Sequence, residues 1–144
     1  MIKIVVVGKM KNRALGELCL DYFSRLRKYD KAELIEIKDS SPEGEGRRML
    51  EIMSASKLRV YALGEEGKAL SSRALAKSME ADLLSGGSMF LIGGPYGLSG
   101  EVKASADFLL SLSPMTFTHE WARAILLEQL YRAKSISAGS GYHH

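Results

Sequence analysis

The sequence holds one cysteine, three prolines and no long apolar run. Cys19 alone cannot close an internal disulfide, so no covalent staple holds the fold, and the residue reads as part of the core. With so few prolines, and with 14 glycines scattered along the chain, there is neither a linker nor a long disordered arm. No stretch approaches the roughly 18–20 apolar residues a membrane span needs, and the opening MIKIVVVGKMK is too short an apolar stretch for a signal peptide. A cytoplasmic location with no membrane partner is therefore expected. Three histidines and one cysteine show no ligand spacing, which argues against a metal site. Neither the G-x-G-x-x-G pattern nor a P-loop is present, and no nucleophile elbow or catalytic carboxylate pair stands out.

What is present is 144 residues, 46% hydrophobic and 26% charged, the ordinary mix of one compact domain spanning 1–144. The net charge of +3 is unevenly placed: residues 1–60 carry 13 basic and 9 acidic side chains, residues 61–144 carry 7 and 8. Lys9, Lys11, Arg13, Arg25, Arg27, Lys28 and Lys31 cluster around one predicted helix. Such a cluster suits the phosphates of a polyanion, and it equally suits a plain solvated face.

Hydrophobic periodicity reads as strands alternating with helices. Met1–Val7, Glu33–Ile37, Arg59–Leu63, Ser88–Ile92 and Phe108–Leu112 are short apolar strands. Between them, Leu15, Leu18, Cys19, Tyr22, Phe23 and Leu26 repeat at helical spacing, and further helices fall around Arg47–Met53, after Ser71 as a cap, over Glu101–Ala106 and from about His119 to Ile136. The Gly64–Gly67 stretch reads as a loop. The expected class is α/β, a mainly parallel sheet with helices on both faces. The last helix carries Trp121, Ile125, Leu126, Leu127, Leu130 and Tyr131, more apolar surface than one sheet face requires. A dimer face around Trp121, Ile125 and Leu130 would bury the excess, as would a fully internal helix.

Chemistry concentrates in two places. Gly93-Gly94-Pro95-Tyr96-Gly97 follows the fourth strand, where open α/β sheets bind ligands, and its glycines allow close backbone approach. Gly94 is expected to need backbone angles open only to glycine. Downstream, Ser113-Pro114-Met115-Thr116-Phe117-Thr118 leads into the last helix at His119. Arg123 lies one turn on, Glu128 and Arg132 share a face at i, i+4, and a glycine-rich tail ends in Tyr142-His143-His144. That tail reads as flexible, and its two final histidines also match a tag remnant.

The strings LIGGPYGLSG and SLSPMTFTHEWARAILLEQLYRAKSI, with the VVVGK start, the ALGEEGK stretch and the terminal Tyr-His, strongly resemble the RlmH family. These are small SPOUT-class (α/β-knot) methyltransferases that modify pseudouridine in bacterial large-subunit ribosomal RNA. The resemblance implies a C-terminal trefoil knot and S-adenosylmethionine bent within it, contacted by Leu63, Gly93, Gly94, Ser113, Pro114, Met115, Thr116, Phe117 and Thr118. It also implies a homodimer acting on the 23S ribosomal RNA of the large subunit or assembled ribosome, with nitrogen 3 of a pseudouridine as acceptor and no metal. His119, Arg132, Tyr142 and His143 would lie near the target base, the last two reaching from the tail across the dimer. The rival expectation is a non-catalytic RNA-binding or ribosome-associated factor of the same fold.

Overall fold

A computed structural model describes residues 1–143; His144, half of the possible tag remnant, lies outside the described residues. The elements in chain order are β1 (Ile2–Val7), α1 (Arg13–Leu26), β2 (Ala32–Ile37), α2 (Pro42–Ser54), β3 (Arg59–Ala69), α3 (Ser72–Asp82), a 3₁₀ turn (Leu83–Ser85), β4 (Ser88–Ile92), α4 (Gly100–Ser105), β5 (Phe108–Ser111) and α5 (His119–Ala138). All strand pairs are parallel, in the order β2-β1-β4-β3-β5. Every helix opens on a side-chain cap: Asn12, Ser41, Ser71, Ser99 and Thr118 each accept the N–H three residues on, which satisfies an amide the helix leaves unpaired.

Strand alternation splits the core into two layers. Ile2, Ile4, Val6, Tyr61, Phe90 and Ile92 pack against Leu15 and Cys19 of α1, Leu75 and Met79 of α3, and Leu126, Leu127 and Leu130 of α5. Val5, Val7, Val60, Ala62, Met89 and Leu91 face Met49 and Met53 of α2 and Val102 of α4. Helices thus cover both faces of the sheet. At the amino ends of the strands, Asp82 is buried and accepts the hydroxyls of Tyr61 at 2.6 Å and Ser88 at 2.8 Å. Burial first, then the bond to Asp82, push the Tyr61 phenol up to about 12.

Four local expectations change. Gly64–Gly67 is no open loop: β3 runs on to Ala69, with a register shift between Leu63 and Lys68 that lets Lys68 and Ala69 pair with β5. Helix α2 begins at Pro42 instead of near Arg47, because Ser41 caps it and a proline at the first turn lacks only an N–H the helix would leave unused. Leu130 cannot serve a dimer face, since α5 packs against both α1 and α3 and buries Leu126, Leu127 and Leu130 completely. Trp121 remains 52% exposed, and Ile125, Tyr131 and Ile136 are partly exposed, so the outward apolar surface of α5 does not include Leu130. The tail, read as flexible, docks instead: Gly139 ends α5 in the left-handed conformation, and Tyr142 turns back onto Tyr131, their ring centroids 4.6 Å apart.

Candidate active site

Because all five strands run the same way, the segments that follow β1, β3, β4 and β5 emerge at one edge. Residues 63–66 within β3 and the segments after Ile92 and Ser111 enclose a cleft of about 330 Å³, also lined by His119 and Ala122 of α5. The cleft brings together Leu63, Gly93, Gly94, Ser113, Met115, Thr116, Phe117 and His119. Pro114 is exposed and does not line it. Thr118 caps α5 through its hydroxyl and lines an adjoining hollow of about 630 Å³ with Asn12, Leu15, Phe117, His119 and Trp121.

The glycine loop folds tightly on itself, Gly97 donating its N–H to the Gly94 carbonyl at 2.9 Å. A Cβ at Gly93 would run into the backbone of Gly97, and Gly97 itself sits at φ +77°, so these two positions require glycine. Gly94 does not: its φ is not left-handed, and a Cβ there would meet Val7 at 3.1 Å instead of entering the cleft.

The far wall is tied by contacts no local pattern announces. The Thr116 hydroxyl donates to the Glu65 carboxylate, and the Ser111 hydroxyl reaches the carbonyls of Ser113 and Glu65 at 3.0 and 3.2 Å. Glu66 pairs with Lys103 at 2.6 Å, and that ammonium holds the Glu66 carboxyl below its usual range. Sequence reasoning missed Glu65, Glu66 and Lys103, for the partners lie 37 to 51 residues apart and show no spacing rule.

Helix α5 is locked to the loop after β1. Glu120 accepts the N–H groups of Lys11 at 3.0 Å and Asn12 at 2.8 Å, and the Asn12 bond above all holds its carboxyl below the ordinary range. Arg123, expected on the His119 face, is instead 3% exposed: it donates to Glu36 at 2.9 Å and to the Gly8 carbonyl at 2.9 Å, leaving its Nε without a partner among the described residues.

The remaining candidates gather elsewhere. Arg132 pairs with Glu128 at 2.5 Å, lies 3.3 Å from Nδ1 of His143 and stands over the Tyr142 ring at 4.9 Å. The Tyr142 hydroxyl donates to Glu128 at 3.3 Å and lies 3.4 Å from that of Tyr22; this neighbour and then burial raise its pKa. Arg132, Tyr142 and His143 therefore form a second cluster, thirteen residues along α5 from His119, about 20 Å at 1.5 Å per residue. Among the described residues no three His, Cys, Asp or Glu side chains gather to hold a metal, and no helix is long and apolar enough to cross a membrane.

The fold is similar to that of solved structures described as SpoU/TrmH-type enzymes. The A. aeolicus TrmH/SpoU tRNA modifying enzyme superposes with a TM-score of 0.54 at 15% identity over 95% of this chain and 77% of its own. TrmJ from Z. mobilis ZM4 does so at 0.51 and 11% identity over 92% and 70%. The chain belongs to the SPOUT methyltransferase family: the family model described as "Predicted SPOUT methyltransferase" matches residues 1–143. It is 45% identical to the ribosomal RNA large subunit methyltransferase H of Clostridioides difficile (strain 630), over 99% of this chain and 98% of that one. It is 41% identical to the protein of the same name from Desulfotalea psychrophila, over 98% and 97%.

Proposed function

We propose that this protein, as a single domain over 1–144 and a cytoplasmic homodimer, transfers a methyl group from S-adenosylmethionine to nitrogen 3 of a pseudouridine in large-subunit ribosomal RNA, on the assembled ribosome. The cleft at the carboxyl edge of the sheet carries this reading, in a chain whose full-length relatives bear the name of a ribosomal RNA large subunit methyltransferase. Its volume of about 330 Å³ suits a small ligand, and the absence of a Cβ at Gly93 lets the Gly97 backbone fold onto it, which gives the loop its shape at the cleft. Leu63, Gly93, Gly94, Ser113, Met115, Thr116 and Phe117 would hold the cofactor largely through backbone groups. The close packing of residues 63–66 with the segments after β4 and β5 fits a C-terminal stretch threaded as a trefoil knot.

Bound S-adenosylmethionine supplies a methyl group activated on a sulfonium, so no metal is needed. The chain's own task is alignment, bringing the acceptor nitrogen in line with the S–CH₃ bond at about 3–3.5 Å. The imide proton on nitrogen 3 has to leave, and a neutral imidazole, His119 or His143, is suited to take it. A guanidinium, Arg132, stabilises the negative charge that develops on the ring. His119 is at the cleft while Arg132, Tyr142 and His143 are about 20 Å along the helix, so the reading assigns the second cluster to the other copy's cleft.

Methyl transfer from labelled cofactor to ribosomes lacking the modification, with the product nucleoside identified by mass spectrometry, tests this directly. N3-methylated pseudouridine in the large-subunit RNA is expected. Cofactor binding without transfer would turn the reading toward a non-catalytic ribosome-associated factor.

A further inference from the structure

We infer that the loop between β1 and α1 is a phosphate clamp for the RNA substrate, presenting Lys9 and Lys11 from a backbone pinned by Glu120 and Arg123 of α5. This rests on the reading that the substrate is RNA, and it assigns the surface that grips its backbone.

The basic cluster around α1 is not one uniform face. Arg13 and Arg25 are taken up by Glu17 at 3.3 Å and Asp21 at 3.1 Å, one turn along the same helix. Positive charge is left free at both ends of the helix, at Lys9 and Lys11 before it and at Arg27, Lys28 and Lys31 after it, all exposed and in none of the ion pairs among the described residues. Only Lys9 and Lys11 follow β1 at the carboxyl edge of the sheet, where the cleft lies. Asp39 lies beside Gly8 from the end of β2 but pairs with neither lysine.

The backbone that carries these lysines is held at three points. Glu120 accepts the N–H groups of Lys11 and Asn12, and Arg123, itself 3% exposed, donates to the Gly8 carbonyl. A solvated loop has no need of a buried guanidinium beneath it, because water satisfies its carbonyls. Fixing the loop to α5 sets the backbone from which the two lysines project at a constant place relative to His119, which neighbours Glu120 in sequence. The hollow lined by Asn12, His119 and Trp121 opens between the loop and the cleft. Phosphate contacts of this kind fix register on a nucleic acid without reading its bases.

The test is binding to ribosomes lacking the modification, measured across a salt series, for wild type, Lys9→Gln/Lys11→Gln and the control Lys57→Gln/Lys77→Gln on other exposed surfaces. Removing two phosphate contacts is expected to flatten the dependence of log affinity on log salt by about 1.5 and to weaken binding about tenfold at low salt. Cofactor affinity by calorimetry stays at the wild-type value, which shows that the variant is folded. A slope and affinity equal to wild type, or an equal loss in the control, would overturn the clamp while leaving the methyltransferase reading intact. Failure of that reading appears differently, as wild-type protein that neither binds nor methylates ribosomes, and it removes the clamp as well.

Discussion

His119 and Arg132 stand on one helix about 20 Å apart, and the long axis of α5 prevents both from touching one base within a single chain. If both clusters act on one nucleotide, as proposed, this separation requires a second copy, and a two-fold pair supplies two such composite sites. His119→Ala and Arg132→Ala, each inactive alone, are expected to recover about a quarter of wild-type activity when co-assembled, since half of the dimers then hold one complete site. Sedimentation is expected to give twice the chain mass, and methyl transfer reads the recovery. Activity no greater than the sum of the two variants would defeat the shared site.

The tail offers a separable test. Among the described residues, Tyr142 and His143 hydrogen-bond or stack with Arg132, Glu128, Tyr22 and Tyr131, away from the cleft. Truncation after Gly141 is expected to leave cofactor affinity and the dimer unchanged while methyl transfer falls at least about tenfold, the loss of one positioning contact near 1.4 kcal/mol. Full turnover on ribosomes would show the docked tail to be a structural end with no part in the reaction.

At the glycine loop the two adjacent positions should behave differently. Gly93→Ala sets a Cβ against the Gly97 backbone, which cannot move without opening the loop, whereas Gly94→Ala meets only the Val7 side chain at 3.1 Å. Calorimetry is expected to show cofactor affinity lost in the first and largely kept in the second. Equal affinities would remove the loop from the binding site.

Away from the site, Asp82 and Tyr61 predict an alkaline signature. The phenol is raised in the fold by burial and by its bond to Asp82, so its contribution to stability is complete below the unfolded value of 10 and is lost as pH rises towards about 12. Tyr142 is raised as well, so ultraviolet titration should show two of the six tyrosines ionising late, and Tyr61→Phe should remove the one that ionises near the top of that range. Asp82→Ala leaves the Tyr61 and Ser88 hydroxyls without their buried acceptor, and chemical denaturation is expected to show a loss of about 1–3 kcal/mol. An unchanged denaturation midpoint would count against the network.

Periodicity and punctuation in the sequence determined the alternating strands and helices, the two-faced core and the cap at Ser71, because each depends on residues a few positions apart. The glycine loop and the Ser113–Thr118 segment were legible for the same reason: turn chemistry is local, and the strand end before each is a known place for a ligand. Other features depended on parts of the chain far apart in number. The continuation of β3 past Gly64 required β5 as its partner, and the inward apolar side of α5 was spoken for only once α1 and α3 lay on either side of it. The same holds for Glu65 against Thr116, Glu66 against Lys103, and Arg123 beneath Gly8, pairs separated by 37 to 115 residues. Helical spacing put Arg123 on the face of His119, but the burial of its guanidinium against β1 and β2 decided what it does. Sequence spacing records which residues share an element, while only packing decides what each element meets.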